Sequence, residues 1–422
     1  MRPILRSLLV LLLAGSLLLN GCQRGDRRDG VVHLTLWQGI SPPSNREVFQ
    51  SLVQRFNETH PDIEVESLYV GQPDQQIPKI LTAVVGNAAP DLLWYVPTLT
   101  GQLVELEAIQ PLDDWWARSS FQDQLDPALI ETMNLEEHIW SVPFATNNAA
   151  IFYRPSLFQA AGIEQVPQTW ADLRRVAQQL TQDTNGDGRT DQHGIFLSLG
   201  KGEWTVFVWL PFVYSAGGQI AQGIQPDLVN PGAIAALQLG ADLVQDGSAV
   251  LSSPERGYET DSFMAGKVAM QVTGPWTLPQ LSESGIDFDV FPFPVKDQPA
   301  AVVGGESFFL GQTTPEKTQA AYAFLDYVLS PDFQQTWALE TGYLPANLTV
   351  RASAAYQQFV QDNPTLKIFL QQMDWARSRP IIPGYTYLSE NFGRAIEASL
   401  LGTPPAEALR QSQRRLELIL GK

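Results

Sequence analysis

Reactive side chains are scarce in this chain. A single cysteine, Cys22, occurs in 422 residues, so no disulfide can form within it, and the only histidines are His33, His60, His138 and His193. There is no Gly-x-Ser-x-Gly elbow and no phosphate-cradling glycine loop, and the lone Gly200-Lys201-Gly202 carries no weight, so nucleophilic and phosphoryl-transfer chemistry finds no footing. Positive charge is also in deficit: 27 Lys and Arg face 45 Asp and Glu, a formal charge of −18 that excludes nucleic acid as a partner and argues against spreading on anionic lipid. Acids are abundant, and most acids are solvated surface. A glycosidase would need two of them facing each other about 5–10 Å apart, so a surface glycoside hydrolase stands as the alternative from another functional class to a non-catalytic protein.

What is present begins with Arg2 and Arg6 ahead of the apolar run Leu8 to Leu19, the form of a secretory signal peptide. That run is short of the roughly 20 apolar residues a membrane span needs. It closes on Leu17-Leu18-Leu19-Asn20-Gly21-Cys22, which resembles a bacterial lipoprotein processing site, although Asn20 is unusual at its place. The resemblance implies cleavage before Cys22, a diacylglycerol thioether on its sulfur and an acylated new N-terminus. At about 0.8 kcal/mol per buried methylene, several acyl chains hold a body at a membrane face without a span. Residues 1–21 therefore read as the signal peptide and 22–30 as a lipidated tether, with the body exported to the periplasmic or outer face of the cell membrane.

The chain beyond residue 21 is longer than one hydrophobic core usually organises, so two lobes are expected. Val31 to Trp37 alternates as a strand. Ser44 and Glu47 form a capping-box pattern ahead of Val48, Phe49, Leu52, Val53 and Phe56 at helical spacing. A strand from Pro61 to Val70, a helix through Ile77, Ile80, Leu81, Val84 and Val85, and a strand from Asp91 to Val96 follow. This order predicts right-handed crossovers and a parallel sheet. Open α/β sheets bind ligands beyond the carboxyl ends of their strands, where Trp37, Trp94 and Tyr95 stand.

A second α/β unit starts near Pro143, with a strand at Ala150 to Tyr153, a helix capped by Thr169 and Asp172, a helix opened by Asn230-Pro231, and a strand from Val268 running into Thr273-Gly274-Pro275-Trp276. Phe288 to Val295, broken by Pro292 and Pro294, reads as an extended crossing between lobes. Helices are expected over Pro315 to Leu329, Ser330 to Glu340, Ser353 to Asp362, Ser389 to Leu400 and Pro405 to Leu420.

Asp183, Asn185, Asp187, Arg189 and Asp191 recur at alternate positions around Gly188, a calcium-loop pattern, although its twelfth place holds Gly194 where a bidentate Glu is usual. A turn between helix and strand is the other reading. Structural Ca²⁺ is the one cofactor to consider, and none is required. Trp37, Trp94, Tyr95, Trp204, Trp276 and Tyr343 stand at strand ends or beside Gly and Pro, whereas Trp115, Trp116, Trp140, Trp170, Trp337 and Trp375 sit in helical or apolar patterns that suit a core. A pyranose has weakly polar faces and polar edges, so a site for it wants flat rings together with carboxylate, amide or guanidinium groups.

Leu34-Thr-Leu-Trp37, Ala89-Pro-Asp91-Leu-Leu-Trp94, Val142-Pro-Phe-Ala-Thr-Asn147, Ile151-Phe-Tyr153-Arg, Leu157-Phe-Gln-Ala-Ala-Gly162, Ala216-Gly217-Gly218, Met270-Gln-Val-Thr-Gly274-Pro-Trp276, Val303-Gly304-Gly305 and Thr341-Gly-Tyr343-Leu-Pro345 occur in this order. With them the chain resembles the family 1 extracellular solute-binding proteins, the carbohydrate-type receptors of ABC importers related to maltose-binding protein. The resemblance implies an α/β, periplasmic-binding-protein-like fold of two hinged lobes, 31–143 plus 304–345 and 144–303 plus 346–422, which passes a sugar or oligosaccharide to a membrane permease as a monomer. Carried over by position, Trp37, Gln38, Trp94, Tyr95, Asn147, Asn148, Trp276, Gly305, Glu306 and Tyr343 would line the cleft, joined by Trp204, Arg379 and Tyr385. Ala145 stands where many relatives carry an acid. Glycerol 3-phosphate or another polyol derivative is the alternative ligand, disfavoured by Glu306 and accommodated by Arg379.

Overall fold

The computed structural model describes residues 30–253 and 260–421. The signal peptide, Cys22 and the tether up to residue 29 lie outside the described residues.

Apolar side chains at every second position of β1 (Val32–Gln38) bury Leu34 and Leu36 against α1 (Pro43–Thr59), whose Phe49, Leu52, Val53 and Phe56 recur at helical spacing. The expected Ser44–Glu47 capping box does not form. Pro42 takes the N-cap place and the helix begins at Pro43, which leaves Ser44 inside the first turn with no cap to make. β2 (Ile63–Tyr69), α2 (Pro73–Val85) and β3 (Leu92–Tyr95) follow, and both β2 and β3 run parallel to β1. The chain then adds β4 (Ser141–Pro143) and leaves for a second sheet.

That second sheet is built from β5 (Ala150–Tyr153), β6 (His193–Leu197), β7 (Ala249–Leu251), β8 (Val268–Thr273) and β9 (Asp289–Phe291), in the order β7-β6-β8-β5-β9. Its helices are α3 (Trp170–Leu180), α4 (Glu203–Ser215) and α5 (Pro231–Gln245). α3 and α5 start as the residues predict, since Thr169 and Asp172 close a capping box and Asn230 Oδ1 accepts from Ala233 N at 2.9 Å, whereas α4 is not among the expected helices. The Phe288–Val295 segment is not a crossing. Its Asp289–Phe291 pairs antiparallel with β5 and closes the sheet edge, and the prolines follow the strand, where no ladder hydrogen bond is lost.

On its return the chain contributes β10 (Ser307–Leu310), which inserts antiparallel between β3 and β4 and completes the order β2-β1-β3-β10-β4. The two sheets thus share one pattern, three parallel strands, then an antiparallel fourth, then a fifth antiparallel to the fourth. α6 (Pro315–Leu329) packs on β1, and α7 (Pro331–Thr341), capped by Ser330, packs on α1. α8 (Tyr385–Leu400), which starts four residues before the expected Ser389, and α9 (Pro405–Ile419) pair with each other and with α4 and α5. α4 is buried almost all round, as an apolar helix without a polar face must be. Among the described residues no helix is long and apolar enough to cross a membrane.

The connections between the sheets meet edge to edge. Asn147 and Gly304 bridge, with Gly304 N donating to Asn147 O at 2.8 Å, and Thr146 bridges Leu344. This approach requires glycine: a Cβ on Gly305, whose φ is +115°, would stand 2.3 Å from the Ala145 carbonyl oxygen.

Candidate ligand cleft

A cleft of about 400 Å³ opens where the strand ends of the two sheets face each other across these connections. One wall carries Arg46, Tyr69, Gln72 and Trp94. The floor is Asn147, Gly304, Gly305, Glu306 and Tyr343, and the far wall carries Glu203, Trp204, Phe207, Trp276, Gln280 and Arg379.

Local chemistry positions the rings. β8 ends at Thr273, and after Gly274 a short turn over Pro275–Thr277 folds the Trp276 indole back across that glycine, where a Cβ would stand 2.0 Å from the ring. Trp276 becomes a hub: its centroid lies 5.9 Å from Trp204 at 77°, 6.2 Å from Tyr343 and 6.4 Å from Phe207. Edge-on and tilted arrangements suit the ring quadrupoles, and Trp204, Phe207, Trp276 and Tyr343 all line the cleft.

Beside this cluster lies a closed charge network. Glu203 Oε1 accepts from Arg379 Nη1 at 2.7 Å and from the Tyr385 hydroxyl at 2.8 Å, and Oε2 accepts from the Ser389 hydroxyl. The Arg379 guanidinium also lies 5.0 Å from the centre of the Phe207 ring. Burial alone would lower the Arg379 pKa, but the charge of Glu203 and its hydrogen bond raise it above the ordinary value. Burial raises both phenols, Tyr343 and Tyr385, well above theirs.

Glu306 has no such support. Its Oε2 is shielded from solvent and meets no hydrogen-bond donor among the described residues. Burial pushes its carboxyl up to about 7, against the opposing pull of Arg379 and of its own backbone N–H. At the mouth, Arg46 lies 3.6 Å from the centre of the Tyr69 ring and donates from Nε to Ile40 O at 3.3 Å.

Of the residues expected at the site, Trp94, Asn147, Trp204, Trp276, Gly305, Glu306, Tyr343 and Arg379 meet at the cleft. The others point elsewhere. Successive strand residues face opposite sides, so Tyr95, next to Trp94, turns away and donates to Pro73 O at 2.9 Å. Trp37 packs beside the same Tyr95 and Leu99 cluster, and Gln38 is buried with its Oε1 accepting from Ile40 N. Asn148 alternates away from Asn147 and is held by Phe369 O and Gln372. Tyr385 stands behind Glu203 and supports it without lining the cleft.

Sequence reasoning missed Arg46, Tyr69, Gln72, Glu203, Phe207 and Gln280. Glu203 had a signal, a single acid at the head of an otherwise apolar helix. The rim residues had none, because they lie on separate elements.

In the Asp183–Asp191 loop the carboxylates face inward. Asp183 accepts from Gly186 N at 2.6 Å and Gly188 N at 2.7 Å, Asp187 from Arg189 N at 2.8 Å, and Asp191 from Thr184 N at 3.0 Å. The Gly188 N–H holds the Asp183 carboxyl below its ordinary range. Among the described residues no group of three or more His, Cys, Asp or Glu is placed to hold a metal ion.

Two sheets of matching pattern that close on an aromatic cleft define a receptor that grips a small solute between lobes. Residues 51–367 match the family described as bacterial extracellular solute-binding protein, and the chain belongs to that family. The sn-glycerol-3-phosphate-binding periplasmic protein UgpB of Escherichia coli K12 is similar at 24% identity over 357 residues, 81% of each chain. The same fold occurs in an ABC transporter solute-binding protein from Thermotoga lettingae bound with alpha-D-tagatose, with TM-score 0.82, 24% identity and coverage of 92% of this chain and 100% of that one. UgpB of Mycobacterium tuberculosis in complex with glycerophosphocholine also shares it, with TM-score 0.81, 20% identity and coverage of 93% and 99%.

Proposed function

We propose that this protein is the substrate-binding lipoprotein of an ABC importer, which captures a sugar or oligosaccharide between lobes 31–143 plus 304–345 and 144–303 plus 346–422 and delivers it to a membrane permease. The observation that carries the reading is the Trp276 hub, four packed rings that line the cleft beside hydrogen-bonding groups from both walls. Stacking at about 0.5–1.5 kcal/mol per aromatic contact and several hydrogen bonds at about 1 kcal/mol each suffice for micromolar affinity, about −8 kcal/mol. A ligand that bridges both walls favours the closed state and so drives closure.

Glycerol 3-phosphate is the second reading, favoured by the similarity to E. coli UgpB. A binding rather than a catalytic role is supported by Glu203, whose oxygens are occupied by Arg379, Tyr385 and Ser389. Incubation with oligosaccharides is expected to yield no cleavage products. A thermal-shift screen of the body against mono-, di- and trisaccharides and glycerol 3-phosphate tests the ligand class. Anchoring at Cys22 is tested separately: Cys22→Ser should move the protein from the membrane fraction to the soluble one.

A further inference from the structure

Resting on the reading of the cleft as a polyol receptor, we infer that Glu306 sets its ligand class: its carboxylate, which lines the cleft floor, receives a hydroxyl from an uncharged polyol and turns phosphate esters away.

The backbone aims the group. Glu306 follows Gly305, with its φ of +115°, and its carbonyl accepts from Phe144 N at 2.9 Å, so the residue is fixed on the floor between the two walls. Among the described residues that line the cleft, every other charged group is already engaged. Arg379 is bound to Glu203 at 2.7 Å and stacked on Phe207, Glu203 is held by Arg379, Tyr385 and Ser389, and Arg46 lies across the cleft against Tyr69. The Tyr343 phenol, which also faces Glu306, is uncharged, its pKa raised by burial. The floor therefore offers a carboxylate that lines the cleft and receives no hydrogen bond from another described side chain.

A ligand hydroxyl supplies that donor. The dianionic phosphate group of a monoester supplies only acceptors and brings further negative charge beside the carboxylate, and the guanidinium it would seek is already shared with a carboxylate. Because burial brings the Glu306 carboxyl to about 7, its ionisation changes across the neutral range. Donation from a ligand hydroxyl favours the ionised form, so sugar affinity rises with pH. Protonation removes the repulsion, so phosphate esters are best tolerated on the acid side.

Isothermal titration of wild type and Glu306→Gln with saccharides found in the thermal-shift screen and with glycerol 3-phosphate, at pH 6 and pH 8, tests this. The wild type should bind a neutral saccharide about 100-fold more tightly than glycerol 3-phosphate at pH 8, with the ratio shrinking at pH 6. Glu306→Gln should weaken the saccharide about tenfold, strengthen glycerol 3-phosphate and remove the pH dependence of saccharide affinity, leaving in the ratio only what the ligand's own second phosphate ionisation at about 6 contributes. The melting temperature of the unliganded variant verifies its fold and should equal or exceed that of wild type at pH 8, since an unpaired buried charge is lost. A wild type that binds saccharide with a preference and pH profile untouched by Glu306→Gln overturns the inference and leaves the polyol reading standing. A wild type that prefers glycerol 3-phosphate, or binds no saccharide, overturns both.

Discussion

Glu203 and Glu306 are both carboxylates at one cleft, and their surroundings are opposite. On the second-lobe wall, Glu203 is ringed by Arg379, Tyr385 and Ser389, which come from a loop and a helix nearly two hundred residues further along the chain. On the floor, Glu306 lines the cleft from a glycine-paired connection, and its carboxylate receives no hydrogen bond from another side chain among the described residues. A buried polar network satisfied by the protein belongs to folding, whereas a group left short of partners in an open cleft awaits a ligand. The first region should therefore answer to mutation through stability and the second through affinity.

The largest effect falls on the satisfied side. Glu203→Ala strands Arg379 as an unpaired buried cation and should destabilise the fold by about 3–5 kcal/mol, read as a lowered urea midpoint. A variant as stable as wild type would mean that the network is not what holds the wall. On the ligand side, Trp276→Ala should weaken saccharide binding at least about tenfold, since the hub loses its stacking contacts, and should leave the melting temperature of the empty protein within a few degrees. A large loss of stability with unchanged affinity would assign Trp276 to the core.

This division was not legible in the residues, since Glu203 went unmarked, but part of the fold that carries it was, because that part rests on local chemistry. The β-α-β-α-β order of β1 to β3, the Thr169 and Asn230 caps and the Gly274-Pro275-Trp276 turn depend on neighbours in sequence, whereas β6, β7, α4 and the returning β10 were not marked. Facing was harder to read. Trp94 and Tyr95 share a strand end, but only register against β1 and β10 decides which of them meets the cleft. The same alternation separates Asn147 from Asn148. Arg46, Tyr69 and Gln72 form one rim only because β2 lies beside β1 over the full register Val32–Ile63 to Gln38–Tyr69. Pro42 displaced the Ser44 cap, and Asp289–Phe291 found a sheet edge to pair with, so two local signals were overruled by the elements around them.

A titration of stability sharpens the contrast. The folded-state pKa of Glu306 is raised from 4.5 to about 7, so the native protein holds this proton more tightly than the unfolded chain. Its stabilising contribution is complete below about pH 4.5, declines as pH rises through the folded value near 7 and is gone above it. Unfolding midpoints of wild type and Glu306→Gln between pH 5 and pH 8 should therefore converge at the acid end and separate in favour of the variant at the alkaline end. Parallel curves would mean that the carboxyl titrates as an ordinary exposed acid.

Tyrosine hydroxyls permit a finer comparison. Tyr95→Phe removes one hydrogen bond to Pro73 O on the side of the strand away from the cleft, and should cost about 1 kcal/mol of stability with affinity unchanged.

The smallest response is expected in the Asp183–Asp191 loop, far in character from either acid because its carboxylates are exposed and already bonded to their own backbone. A calcium ion would have to displace the donations from Gly186, Gly188 and Thr184 before it gained a ligand, and it would find no third carboxylate suitably placed among the described residues. A ligand that binds weakly to the folded state adds little stability by mass action. Calcium at roughly 1 mM should therefore shift the melting temperature by less than about 1 °C. A shift of several degrees that Asp183→Asn abolishes would show that the loop rearranges to take the ion.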